Sequence, residues 1–111
     1  MFNQGEILLI PIPFSDLSSN KKRPVLVLSN DKYNSIASDI IVAAITSNID
    51  NKYTEIKITN DDMQDGVLKV DSCIRTDKIY TLAQTIVINS FGRVKEEVLN
   101  RVRAKIDEII C

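Results

Sequence analysis

The chain has 111 residues, 44% of them hydrophobic and 26% charged, with a formal net charge of -1. This leaves room for one domain around one modest core and excludes a disordered chain. It also excludes a protein that coats nucleic acid by bulk electrostatics, which takes an extended basic face.

Histidine is absent, which removes the usual acid–base side chain and the commonest transition-metal ligand. Cys73 and Cys111 are too few for a disulfide framework or a thiolate zinc site. No apolar run approaches the ~18 residues that span a bilayer. The N-terminus shows no secretory leader, so a reduced, cytoplasmic setting is expected. The chemistry left to the chain is that of Arg, Lys, Thr, Ser, Asp, Glu and Tyr, with no metal or cofactor expected.

In chain order, residues 6–12 (EILLIPI) and 24–29 (PVLVLS) predict two short buried strands. The polar connection from Pro13 to Arg23 between them is rich in turn formers. Residues 39–46 (DIIVAAIT) predict a third strand, and 53–59 (YTEIKIT) alternates as a half-buried strand should. Residues 60–66 read as a loop or short helical turn ending at glycine. Residues 67–75 and 79–89 supply further strand material, with a break near Thr76 to Lys78. The period then changes. Val94, Val98, Leu99, Val102, Ile106, Ile109 and Ile110 recur at helical spacing, after a turn marked by Ser90 and Gly92. The expected architecture is mainly β (α+β): one domain over residues 1–111, a small barrel or sandwich covered by a C-terminal helix of ~17 residues.

Three local groups carry chemistry. Lys21-Lys22-Arg23-Pro24 ends the polar loop, and the proline restrains the Arg23 backbone to extended geometry. A guanidinium held there can bind a phosphate through two parallel hydrogen bonds and stabilise charge building on a phosphoryl oxygen. Read on its own, the same tetrapeptide is equally a solvated basic loop. Thr46-Ser47-Asn48 places three hydrogen-bonding side chains where an apolar strand ends, which is also how strands ordinarily terminate. Asp71-Ser72 and Arg75-Thr76-Asp77-Lys78 put charges within strand material, where cross-strand ion pairs are the expected outcome.

The order of these groups resembles the MazF/PemK family of toxin endoribonucleases. The resemblance runs through Gly5-Glu6-Ile7, Pro13-Phe14-Ser15-Asp16, Lys22-Arg23-Pro24-Val25-Leu26-Val27-Leu28-Ser29 and Ala44-Ile45-Thr46-Ser47. It continues through Asp71-Ser72-Cys73-Ile74-Arg75-Thr76-Asp77-Lys78-Ile79 and Gly92-Arg93-Val94. It implies an SH3-like β-barrel with a C-terminal helix, a homodimer, single-stranded RNA as substrate, a cognate antitoxin as partner and no membrane association. It implies Arg23 and Thr46 as catalytic residues. Phe14, Ser15, Asp16, Lys21, Lys22, Ser47, Ser72 and Arg75 are implied to bind RNA, with Asp16 a contributor to proton transfer by its loop position. Some members carry a Gly-rich Ser-Glu-Gln loop before the arginine, where this chain has Ser15-Asp16-Leu17-Ser18-Ser19-Asn20. The same barrel serves CcdB-like gyrase poisons, whose contact uses a C-terminal tryptophan that this chain lacks, and SH3-like interaction modules.

Overall fold

The longest apolar runs become the centre of an antiparallel sheet. The computed structural model describes residues 1–12 and 21–111. The central strands are β1 (Glu6–Ile12), β2 (Lys21–Val27) and β3 (Asp39–Thr46). Their runs are continuous rather than alternating because both faces are covered. Ile7, Leu26, Ala43 and Ile45 enter one core, while Leu8, Ile10, Val25, Val27, Ile40 and Val42 enter another. Side chains of successive strand residues point to opposite faces, so one run feeds two cores.

The remaining strands are β4 (Glu55–Ile58), β5 (Met63–Gly66), β6 (Ser72–Ala83) and β7 (Asn89–Val94). The seven-stranded order is β4-β6-β3-β2-β1-β7-β5. β4 and β5 stand at opposite edges, yet only residues 59–62 separate them in the chain. A flat sheet would hold these edges roughly 29 Å apart, and the link spans at most roughly 17 Å. The sheet must therefore curl into a half-barrel. The link is a 3-10 turn closed by a capping box: the Thr59 N–H donates to Asp62 Oδ2 at 2.7 Å, and the Asp61 N–H donates to Thr59 Oγ1 at 3.3 Å.

Helix α2 (Glu96–Ile110) lays Val98, Leu99 and Val102 into the first core, together with the partly buried Ile106. Each such aliphatic side chain contributes about 1.5–3 kcal/mol on burial. Among the described residues no helix is long and apolar enough to cross a membrane.

The sequence reading and the structure differ in several places. β2 starts at Lys21, so Lys21, Lys22 and Arg23 belong to a strand paired with β1 rather than to a loop end. Residues 67–71 are not a strand, and the segment read as a loop or short helical turn over 60–66 holds the 3-10 turn Asn60–Asp62 followed by β5. The break expected near Thr76 to Lys78 is a bulge inside a continuous β6. Ala43 opposes Ile79 and Ala44 opposes Arg75, so one step on β3 matches four on β6. Val94 closes β7, and α2 begins two residues later. Val94 shares the helix's core, which explains its helical spacing in the sequence. Ser90 and Gly92 accordingly lie within β7 rather than in a turn.

A helix that the periodicity did not signal, α1 (Asp31–Ile36), is held by polar contacts. The Asn30 side chain accepts from the Tyr33 N–H at 2.8 Å, and buried Asn34 donates to the carbonyls of Phe2 and Ser29, each at 3.0 Å.

Candidate functional site

The site begins where β2 parts from β3. Their pairing runs Val27↔Val42, Leu26↔Ala43, Val25↔Ala44 and stops there, while β2 stays paired with β1 as far as Lys21. Pro24, with no N–H to donate, marks the parting. Continuing the antiparallel register by two residues sets Arg23 beside Thr46, the last residue of β3, on the same face of the sheet. Hollows open on either side of this pair, and both Arg23 and Thr46 line both of them.

The first hollow, about 610 Å³, is lined by Arg23, Thr46, Ser47 and Asn48 together with Val67, Val70 and Phe91. The second, about 290 Å³, adds Asp50, Arg75, Lys78 and Tyr80 to Arg23 and Thr46. Cations outnumber anions around both. Among the described residues, Arg23 makes no ion pair or side-chain hydrogen bond. The Thr46 hydroxyl accepts from the Asn48 N–H at 3.1 Å, which turns its oxygen toward the strand end and leaves its own proton available.

The structure brings Arg23, Thr46, Ser47 and Ser72 to the first hollow and Arg75 to the second, while Lys21 and Lys22 line neither. Phe14, Ser15 and Asp16 lie outside the described residues. Ser72 is buried and donates to the Val70 carbonyl at 2.9 Å, so its hydroxyl holds the hollow's wall. Arg75 grips Asp77 through Nε (3.2 Å) and Nη2 (3.1 Å). This pair lies within β6, two residues apart on one strand face, where a cross-strand pair was expected. The shared hydrogen bonds hold the Asp77 carboxyl below its ordinary value and raise that of Arg75. Asp50, Lys69 and Phe91 are members of the hollows that sequence reading did not select. A phenylalanine inside the otherwise polar Asn89-Ser90-Phe91-Gly92 was the available signal for the last.

Cys73 is Thr46's partner across β3 and β6, which makes it a nucleophile by position alone. Its chemistry denies the role. Burial first, then the neighbouring Glu55 carboxylate, push its thiol up to about 11, so almost no thiolate exists at neutral pH. In the folded protein at pH 8, an alkylating reagent should modify the exposed Cys111 and spare Cys73, which should react only after denaturation. Intact mass, with one adduct against two, reads the result. Two rapid adducts on the native protein would contradict it.

A curled antiparallel half-barrel capped by a C-terminal helix, with a basic cleft where two central strands splay, defines a class of small barrel proteins. Residues 3–110 match the family model described as PemK-like, MazF-like toxin of type II toxin–antitoxin system, and the chain belongs to that family. No curated protein sequence matches it.

Among solved structures it is similar to MazF in a MazE–MazF complex from Deinococcus radiodurans, with 20% identity and TM-score 0.80 over 98% of this chain and 95% of that one. It is also similar to an endoribonuclease in complex with its cognate antitoxin from a Mycobacterial species, with 18% identity and TM-score 0.78 over 97% and 93%. The Mycobacterium tuberculosis toxin MazF-mt6 shows 19% identity and TM-score 0.74 over 93% of each chain. At these identities the likeness is one of fold.

Proposed function

We propose that this chain is the toxin of a toxin–antitoxin pair and a metal-independent endoribonuclease that cuts single-stranded RNA, messenger RNA included, at short sequences in the cytoplasm. The observation that carries the reading is the parting of β2 and β3 at Pro24, with Arg23 and Thr46 set at its mouth between two cation-rich hollows. Family membership adds the toxin role.

RNA supplies its own nucleophile, so the protein's task is to position and to stabilise charge. The 2′-oxygen attacks the adjacent phosphorus and gives up its proton, the bond from phosphorus to the 5′-oxygen breaks, and that oxygen takes up a proton. The products are a 2′,3′-cyclic phosphate and a 5′-hydroxyl. Arg23 binds the phosphate and stabilises the phosphorane charge, while Thr46 donates a hydrogen bond that fixes the phosphate in line. Ser47 and Arg75 contact the strand on either side, Lys21 and Lys22 extend the contact beyond the two hollows, and Phe14, Ser15 and Asp16 also bind RNA. A homodimer would place two such basic edges along one groove. The antitoxin, whose counterparts accompany the Deinococcus and Mycobacterial structures, would occupy the same groove as an acidic segment.

The test is direct. Purified protein in EDTA, given a long single-stranded RNA, should produce discrete cuts with 5′-hydroxyl ends, mapped by ligation that depends on prior phosphorylation. Intact RNA, or ends bearing 5′-phosphate, would overturn the reading.

A further inference from the structure

Exposed apolar side chains are ordinarily scattered singly over a protein surface, but here three share one hollow. Val67 is 61% exposed, Val70 59% and Phe91 39%, and all three line the hollow beside Arg23. The backbone brings them together. Gly66 and Gly92 oppose each other in the β5–β7 pairing, and one further step in that antiparallel register sets Val67 next to Phe91. The same hollow is lined by Arg23, Thr46, Ser47, Asn48 and Lys69.

We propose that this hollow receives a nucleobase of the RNA strand, stacked on Phe91, next to the phosphate held by Arg23. The inference rests on the ribonuclease reading and adds a base-recognising residue to it. A nucleotide has the same division as the hollow: apolar faces, hydrogen-bonding edges and an anionic phosphate. Any base offers a face to an aromatic ring, so stacking grips the strand, while the Ser47 and Asn48 side chains meet the base edge and discriminate. The volume of about 610 Å³ lies within the ~300–1,000 Å³ typical of sites for small organic groups. An acidic antitoxin segment with apolar side chains would compete for this hollow. Arg23 and Thr46, which hold the scissile phosphate in the ribonuclease reading, line it too, so the base next to that phosphate is the occupant the reading requires.

Cut sites are first mapped with wild-type protein on a long RNA. A short RNA bearing one such site is then made with 2-aminopurine at the neighbouring position, and a second copy carries a 2′-deoxy sugar at the cut to block cleavage. F91A should raise KM by roughly 5- to 150-fold, the loss expected for one base–aromatic stack, and lower kcat far less. It should also abolish the quenching of 2-aminopurine seen when wild type binds the blocked RNA, while F91W and F91Y restore both. Thermal melting of F91A reports that the fold is intact. If wild type cuts RNA but F91A shows an unchanged KM and full quenching, base stacking is overturned, the ribonuclease reading stands and the hollow passes to a protein side chain. If wild type cuts no RNA, the underlying reading fails and this inference with it.

Discussion

Arg23→Ala is expected to slow RNA cleavage by at least ~10²-fold, the usual cost of removing one preorganised donor aimed at developing charge. Its melting temperature should stay close to wild type. Arg23 lies in the exposed half of β2, and its ladder contribution to β1 is backbone, which alanine keeps. Arg23→Lys separates charge from geometry. Lysine keeps the cation and loses the planar fork, so it should recover only part of the rate. A companion experiment alters the substrate instead of the enzyme. One 2′-deoxy sugar at a mapped cut position removes the nucleophile and should abolish cleavage there while cuts elsewhere continue. Near-wild-type cleavage by Arg23→Ala would remove that residue from the role. Cutting at the deoxy position would end the 2′-hydroxyl mechanism, whatever Arg23 does.

The two experiments address different parts of the barrier. An intramolecular nucleophile already held next to phosphorus gains from orientation, which well-aligned systems show to be worth as much as ~7–11 kcal/mol. A bidentate guanidinium adds electrostatic stabilisation that grows only as the phosphorane forms. A chain without histidine must draw more on these two effects than on acid–base transfer, so Arg23 is expected to dominate kcat. Thr46, held at the strand end by its contact with the Asn48 N–H, is expected to support it.

What could be read from the sequence follows from how local the cause was. β1, β3 and α2 were visible because burial on both faces of a strand, or on one stripe of a helix, writes itself into consecutive residues. Arg23 stood out because a basic run met a proline, and the structure gives that proline a further consequence, the parting of β2 from β3. β5 and β7 escaped because their pairing depends on two glycines separated by 25 intervening residues, 67–91. α1 escaped because a six-residue helix held by Asn30 and Asn34 needs no apolar period. The first hollow gathers Arg23, Thr46, Val70 and Phe91 only after the sheet curls. Curling follows from the short β4–β5 link in three dimensions, and no local pattern encodes it.

That closure at the glycines carries the second large effect. Gly66→Ala and Gly92→Ala should each destabilise the protein by about 3 kcal/mol or more, combining backbone strain of ~1–3 kcal/mol at positive φ with a collision that no rotamer relieves. Gly66 has φ +79° and Gly92 φ +123°. A Cβ on Gly66 would lie 2.1 Å from the Phe91 carbonyl oxygen, and one on Gly92 would lie 2.3 Å from that of Asp65. Both obstacles are backbone, so β5 and β7 must separate. Val94, at the end of β7, is buried in the core beneath α2, so separation is felt there as well as at Phe91. For a chain of this size such a loss lowers Tm by more than about 10 °C. The double variant should cost less than the sum of the two, because once the strands have parted for one Cβ the second meets little. A Tm within about 2 °C of wild type for either single variant, on the same scale, would show that the crossing is not a constraint. An additive double variant would show that each glycine serves a separate need.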